Sequence, residues 1–141
     1  MASDIEPVTL PSPDHIGVVV KDIDKTVEFL SSVWGIGRWE LGEYAPKDAP
    51  VKLKLAFGDL GNGLRLELIQ PVAGKSLWSD FLEEKGEGIQ HIAYMIKNWD
   101  EVVPKVVDRG GRILVSGAFQ GNRFYYWETP GGIIIQLEER K

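Results

Sequence analysis

Apolar residues recur along residues 15–69 at the spacings of four strands and one helix. HIGVVV is a β-branched run typical of a strand. Ile23, Val27, Leu30 and Trp34 then recur at helical spacing, which predicts a helix capped by Asp22 or Asp24 and ended by Gly35 and Gly37. RWEL is a short candidate strand, and two alternating segments follow. The first half is therefore predicted to be a β-α-β-β-β unit.

The two alternating segments have the pattern of half-buried strands. VKLKLAF puts Val51, Leu53, Leu55 and Phe57 on one face, which is predicted to fill the core or to serve a dimer interface. GLRLELI separates Leu64, Leu66 and Leu68 from Arg65, Glu67 and Ile69.

The same order of elements returns in the second half. A connector at about 72–88 contains SLWSDFLEEKG, whose apolar residues share one helical face. HIAYMI is then a strand, and Trp99, Val103 and Val106 predict a helix capped by Asp100, with Pro104 near its first turn. RILV, RFYYWE and GIIIQLE are three more candidate strands.

The two histidines, His15 and His91, occupy equivalent places in this internal repeat and lie 76 residues apart. After them Lys21 matches Lys97 and Asp24 matches Asp100, without a gap. Two copies of a half-domain pair to bury their apolar faces and leave a shared cleft. We therefore expect an α+β fold of two tandem βαβββ modules, at about 14–71 and 89–141, after a loose arm at 1–13.

The composition narrows the class of protein. The chain has 141 residues, with 43% hydrophobic and 26% charged, as in a soluble globular domain. A net charge of −5 without a basic stripe argues against nucleic acid as a partner. No cysteine is present, which excludes disulfides, thiolate nucleophiles and cysteine-based zinc sites. MASDIEPVTLPSP lacks the apolar core of a signal peptide, and no apolar run is long enough to span a membrane, so we expect a cytoplasmic protein.

The repeat also pairs two oxygen-bearing side chains. Aligning GLRLEL with GIIIQL places Glu67 opposite Gln136, so that each module offers one histidine and one oxygen ligand. Such a set suits Zn, Mn, Ni, Co or Fe better than Mg or Ca, which prefer all-oxygen shells. Glu138 shares strand parity with Gln136 and is the alternative fourth ligand. Each residue alone has an ordinary structural explanation, but their coincidence at repeat positions favours one divalent-metal site.

The same residues lie in stretches that resemble the vicinal oxygen chelate superfamily, which includes glyoxalase I, methylmalonyl-CoA epimerase, extradiol dioxygenases and bleomycin-resistance proteins. The stretches are DHIGVVVKDIDKTVEFLSSVWGIG, LELIQP, FLEEKGEGIQHIAYMI and TPGGIIIQLEE. They are most similar to the methylmalonyl-CoA epimerase and glyoxalase-like branch. The resemblance implies a U-shaped, partly open mixed sheet around a metal held by His15, Glu67, His91 and Gln136. It also implies a small-molecule substrate and a homodimer.

The resemblance implies a metal-assisted isomerase, epimerase or lyase acting on a small oxo, hydroxy or acyl-thioester compound. Glyoxalase-like members commonly carry Glu where this chain has Gln136, which leaves Glu67 as the expected base as well as a ligand. Lys52 and Lys54 stand about where an epimerase offers a separate carboxylate, which weakens the case for methylmalonyl-CoA itself.

Two other functions remain open on the same scaffold. One is a metal-free protein that sequesters a ligand, as bleomycin-resistance proteins do. The other is an iron-dependent extradiol-type dioxygenase, against which Gln136 counts because the carboxylate of those enzymes lies in the final strand. RFYYWE places Arg123, Tyr125 and Trp127 on one strand face, and we expect this face to line a substrate pocket if it is concave.

Overall fold

The computed structural model describes residues 6–141. The first five residues of the expected N-terminal arm lie outside the described residues. In chain order the elements are β1 (His15–Val19), α1 (Ile23–Trp34), β2 (Gly37–Tyr44), β3 (Lys52–Gly61), β4 (Leu64–Ala73), α2 (Leu77–Lys85), β5 (Gly88–Ile96), α3 (Trp99–Asp108), β6 (Arg112–Phe119), β7 (Asn122–Glu128) and β8 (Ile134–Glu139).

The eight strands form one mixed sheet in the order β2-β3-β4-β1-β5-β8-β7-β6. Each half contributes four neighbouring strands, and β1 pairs parallel with β4 just as β5 pairs parallel with β8. The two halves join through antiparallel pairing of β1 with β5. The sheet curls into a half-barrel, which confirms the predicted α+β fold of two βαβββ modules around a central cleft.

Helices α1 and α3 cover the convex face of the sheet, one in each module. Ile23 of α1 packs with Ala56 and Leu68, whose side chains point away from the cleft. In the second module Trp99 and Val103 of α3 pack against Trp127, Leu137 and other residues of the same apolar cluster. Burying these faces removes apolar surface from water, at about 25 cal/mol per Å².

The third apolar cluster lies on the concave face, where α2 packs. Trp78 of this helix contacts a cluster that includes Leu53, Leu55 and Phe124. Val51 and Phe57 pack against the same cluster. Of the two roles proposed for the apolar face of VKLKLAF, the structure therefore supports the core.

The caps of the two long helices differ from each other. The Asp22 side chain accepts a hydrogen bond from the Lys25 amide and caps α1, and Gly35 ends the helix in the left-handed region. The predicted Asp100 cap of α3 is wrong, since Asn98 holds the N-cap position and Asp100 lies inside the first turn. Pro104 is the sixth residue of α3 and lies beyond the first turn where it was expected.

The N-terminal arm is not loose along its whole length. Residues 6–13 form no helix or strand, but Val8 and Leu10 pack against the α3 cluster. The module boundaries shift slightly, because β4 continues to Ala73 and β5 begins at Gly88. Within residues 6–141, no helix is both long and apolar enough to cross a membrane.

Candidate metal centre

Four buried polar side chains meet at the middle of the concave face, where the two modules join. The ligand atoms of His15, Glu67 and His91 lie within 4.8 Å of one another. Glu67 Oε1 is 3.3 Å from Nε2 of each imidazole. Gln136 is 5% exposed and lines the same cleft. The structure thus brings together all four residues that the repeat had paired.

Small residues make room for the two imidazoles. In the pairing of β1 with β5, Gly17 lies opposite His91 and Ala93 lies opposite His15. The repeat therefore includes a small residue two positions after each histidine, as HIG and HIA. A Cβ atom on Gly17 would lie 2.0 Å from Cε1 of His91, so the glycine is needed for space and its φ is ordinary.

The inward atoms of these side chains form no hydrogen bond of normal geometry among residues 6–141, although Glu67 Oε1 lies 3.3 Å from both Nε2 atoms. They are Nε2 of His15, Oε1 of Glu67, Nε2 of His91 and Oε1 of Gln136, and each is fully buried. Burying a polar atom without a partner costs about 1–3 kcal/mol. Four such atoms at one point are the arrangement that a divalent cation would satisfy, and two nitrogens with two oxygens suit a transition metal. The residues therefore fit a metal of the expected kind.

Charge also concentrates at this point. Burial alone would raise the pKa of Glu67, but His15 and His91 hold it well below its usual range. Burial alone would lower the pKa of His15, but Glu67 and Asp14 raise it to about 10. For His91 burial prevails, and its pKa is lowered. Without a metal, the carboxylate of Glu67 is thus neutralised chiefly by protonated His15.

Both histidines are held from behind by the residue that precedes them. Nδ1 of His15 donates to Asp14 Oδ2 at 2.8 Å, and Nδ1 of His91 donates to Gln90 Oε1 at 3.0 Å. With Nδ1 as the donor on each ring, Nε2 is the nitrogen that gives up its proton when a metal binds, and its lone pair then faces the centre. The β1–β5 register shifts between Gly17 and Val18, next to Gln90 and His91. Arg65 in turn holds Asp14 at 2.8 Å.

The cleft above the four side chains has one aromatic wall and one charged edge. It encloses about 170 Å³. The aromatic wall consists of Tyr44, Trp78, Phe119, Phe124 and Tyr126. The charged residues that line the cleft include Glu40, Arg65 and Glu138. Burial raises the pKa of Glu138 to about 7.

The predicted pocket face of RFYYWE is wrong. Arg123, Tyr125 and Trp127 point to the convex side of the sheet, where Trp127 joins the α3 cluster and Arg123 lies over the Trp99 ring. Phe124 and Tyr126 line the cleft instead. The pairing of β7 with β8 gives the reason, because Tyr126 lies directly opposite Gln136 and residues in register share a face.

The two lysines of β3 also lie away from the cleft. Lys54 pairs with Asp24 of α1 at 3.1 Å, and Lys52 pairs with Glu43 of β2. The cleft side of the same strand carries Leu53, Leu55 and Phe57. Lys52 and Lys54 therefore do not face the cleft, and the leucine side chains of this strand face it instead.

The sequence matches a known protein family. The sequence model described as the glyoxalase/bleomycin resistance protein/dioxygenase superfamily matches residues 14–126, most of the chain. The chain belongs to this superfamily. The chain is also similar to the uncharacterized protein YqjC of Bacillus subtilis (strain 168). The two sequences are 29% identical over 133 residues, and the alignment covers 91% of each chain.

Solved structures of this glyoxalase superfamily share the fold. A methylmalonyl-CoA epimerase variant from Streptomyces coelicolor, in complex with 2-nitronate-propionyl-CoA, is 26% identical, with a TM-score of 0.72 over 93% of this chain and 98% of that one. Methylmalonyl-CoA epimerase from Mycobacterium tuberculosis has a TM-score of 0.76 at 23% identity, over 99% of this chain and 95% of that one. At that identity the second likeness shows the fold alone.

Four residues of the site were not predicted from the sequence. Two of them, Asp14 and Gln90, hold the two histidines, and the repeat contains a pattern that could have identified them: each copy has a hydrogen-bonding residue directly before its histidine. Phe124 and Tyr126 were missed because alternation defines two faces of a strand without saying which is concave. Their register with β8 supplies that information, because the cleft-facing Gln136 and Glu138 lie opposite them.

Proposed function

We propose that this protein is a divalent-metal-dependent enzyme of the glyoxalase and epimerase type. Its reaction would be an isomerisation, epimerisation or lyase step that moves a proton on a carbon next to a carbonyl group. The observation that supports this proposal best is the set of four buried ligand atoms without partners, contributed by His15 and Glu67 from one module and by His91 and Gln136 from the other. Membership of the superfamily adds support.

Each residue of the site has a defined part in this proposal. When bound, a divalent cation supplies Lewis-acid polarisation of a carbonyl or enolate oxygen. His15, His91 and Gln136 would hold it as neutral ligands, and Glu67 would add the one carboxylate of the set. Glu67 is the only carboxylate among these four residues, so it is also our candidate to accept the proton from the substrate carbon. The aromatic wall would exclude water from the reacting atoms.

The cleft and the relatives support a proposal for the substrate class. One solved relative is a methylmalonyl-CoA epimerase bound to an acyl-CoA analogue. In this chain β3 presents Leu53 and Leu55 to the cleft, so a second base from that strand is not available. We therefore propose a small oxo, hydroxy or acyl-thioester substrate, with Glu67 as the base and without a carboxylate from β3.

Metal content is the first test of this function. Protein purified without a histidine tag is analysed for Zn, Ni, Co, Mn and Fe and compared with His15→Ala and His91→Ala. We expect near-stoichiometric metal that both variants lose. Glu139→Gln is the matched control, because Glu139 pairs with Arg123 on the other face of β8 and its loss should leave the metal in place. If no metal binds and none raises the melting temperature, the proposal is wrong.

Proton transfer is tested separately with the loaded protein. Incubation in D₂O with 2-oxo acids, 2-hydroxy acids and acyl-CoA thioesters should give loss of an α-proton signal in the NMR spectrum. Glu67→Gln keeps an oxygen for the metal but cannot accept a proton, so we expect bound metal and at least a 100-fold slower exchange, within the usual contribution of general acid–base catalysis. Equal exchange rates in both proteins would exclude Glu67 as the base.

A metal-free ligand-binding protein is the second candidate function. The aromatic wall favours it, since five aromatic side chains can enclose an apolar ligand without any chemistry. Tight binding of a small aromatic compound by protein that takes up no metal would support this function. Oxygen uptake with ferrous iron and a catechol would instead reveal the third candidate, an extradiol-type dioxygenase.

We also propose that the protein forms a homodimer and is located in the cytoplasm. Trp34 is 70% exposed on α1, with Phe29 and Val33 exposed beside it. These side chains would gain from burial against a second copy. Light scattering on the eluting protein gives the mass in solution, and a monomer at micromolar concentration would contradict the dimer.

A further inference from the structure

We infer that Glu138 is a positioning residue that orients the amide of Gln136, so that the Gln136 oxygen faces the metal. The inference rests on the proposed metal site and assigns to Glu138 a role distinct from that of a ligand. The pair Gln136 and Glu138 then takes the place of a single carboxylate ligand. Three contacts of the same kind and the burial of the two side chains support this role.

Strand β8 places the two side chains side by side. Gln136 and Glu138 are two residues apart on one strand and both line the cleft. They are 5% and 8% exposed. Nε2 of Gln136 donates to Oε1 of Glu138 at 3.4 Å, while Oε1 of Gln136 has no partner within the described residues. The nitrogen end of the amide is thus held, and the oxygen end is left for the metal.

The two histidines are held in the same way as the amide of Gln136. His15 donates to Asp14 and His91 donates to Gln90, in both cases through the atom that faces away from the centre. All three neutral ligands therefore have their outward atom fixed by an acceptor one or two residues away in sequence. Within residues 6–141 Glu67 has no such partner, and it does not need one, because either of its two oxygens can serve.

An amide can bind a metal in only one of its two orientations. An amide turned by 180° presents its NH₂ group to the cation and cannot bind it, whereas a carboxylate has two equivalent oxygens. An acceptor on the nitrogen removes the turned state. A negatively charged acceptor also polarises the amide and makes its oxygen a better donor. Outer partners of metal ligands are commonly worth about 10- to 100-fold in metal affinity.

Metal affinity measures this role without any activity. The dissociation constant for Co(II) is measured by calorimetric titration of apo protein at pH 8, and the visible absorption of bound Co(II) reports its coordination. Glu138→Leu removes the acceptor in a buried position, and we expect it to weaken binding by about 10- to 100-fold. Glu138→Gln keeps an acceptor oxygen without the charge, and we expect most of the affinity to return. Far-ultraviolet circular dichroism confirms that the apo variants are folded.

The same substitution in a Gln136→Glu protein distinguishes two effects of Glu138: orientation of the Gln136 amide and direct electrostatic attraction of the cation. In Gln136→Glu the ligand is a carboxylate and needs no orientation, so adding Glu138→Leu there should weaken Co(II) binding by less than about 3-fold. If the negative charge of Glu138 alone mattered, the loss would be equal in both backgrounds and Glu138→Gln would bind as weakly as Glu138→Leu. Either result overturns the inference, as does unchanged affinity in Glu138→Leu.

The outcome for the unmodified protein separates this inference from the proposed function. If the unmodified protein binds Co(II) but the Glu138 variants behave in any of the contradicting ways, the metal site stands and the role of Glu138 is wrong. If the unmodified protein binds none of Zn, Ni, Co, Mn and Fe, both are wrong.

Discussion

Gly17 shows how a single atom decides whether the candidate site can form. It lies opposite His91, and a Cβ atom at this position would lie 2.0 Å from the imidazole. His91 is 1% exposed and packs against the Tyr126 ring at 4.8 Å, so it has little room to move. We expect Gly17→Ala to lower the free energy of unfolding by about 1–3 kcal/mol, as overpacking does. We also expect at least a 10-fold weaker metal affinity, measured by calorimetric titration.

Gly37→Ala is the matched control for this prediction. Gly37 is also in a strand, but a Cβ atom there would meet nothing within 4 Å. Its substitution should therefore change neither chemical denaturation nor metal affinity. If Gly17→Ala binds metal as tightly as Gly37→Ala, His91 does not hold the metal in the position described.

The protonation of His15 predicts a proton count for metal binding. Glu67 and Asp14 raise its pKa to about 10 against the effect of burial, so at pH 8 the metal-free protein holds this imidazole protonated. A metal needs the nitrogen without its proton. Binding at pH 8 should therefore release about one proton, seen as a dependence of the calorimetric enthalpy on the ionisation enthalpy of the buffer. His15→Gln should remove most of that dependence.

The same group sets a pH dependence of stability in the metal-free protein. Because the folded pKa of His15 is raised, its stabilising contribution is complete below the unfolded value of 6.5 and is lost as pH rises through about 10. The free energy of unfolding from urea titrations should thus fall between pH 7 and pH 9.5, and fall less in His15→Gln. Identical slopes for the two proteins would show that His15 is neutral in the folded state.

At the scale of the element, helix α1 distinguishes two aspartates that the sequence left as alternatives. The Asp22 side chain accepts from the Lys25 amide, whereas Asp24 is exposed and forms a surface ion pair with Lys54. Losing an N-cap costs about 1 kcal/mol, and a surface ion pair is worth less. We expect Asp22→Ala to lower the free energy of unfolding by about 1 kcal/mol and Asp24→Ala by under 0.5 kcal/mol, measured by urea denaturation. Equal losses would contradict this assignment of the cap.

The elements also show what could be predicted from the sequence. Periodicity and the internal repeat identified the helices and strands, and the repeat paired His15 with His91 and Glu67 with Gln136. The concave side of β7 could not be predicted, because strand alternation is symmetric and the partner register was unknown. Tyr125 and Trp127 were assigned to the pocket for this reason. The orientation of Lys54 was missed in the same way, since it depends on where α1 packs.

At the scale of the whole molecule, the site lies on the boundary between two similar halves. Module one supplies His15 and Glu67, module two supplies His91 and Gln136, and the β1–β5 pairing is the strand contact that joins them. A cation that binds all four residues would therefore act as a link between halves as well as a ligand. Stability gained from the metal should be shared by the whole fold, in contrast to a site built within one module.

Hydrogen–deuterium exchange with mass spectrometry tests this coupling. At a free metal concentration 100 times its dissociation constant, binding adds about 2.7 kcal/mol to the free energy of unfolding. We expect the exchange of peptides from β3 in module one and from β7 in module two to slow together, wherever exchange requires global opening. We also expect the melting temperature to rise by roughly 5–10 °C. His15→Ala should abolish the slowing in both modules, although it removes a ligand from only one of them. Slowing confined to a single module would show that the metal is held by that half alone, and that the repeat reflects ancestry of the fold without a shared site.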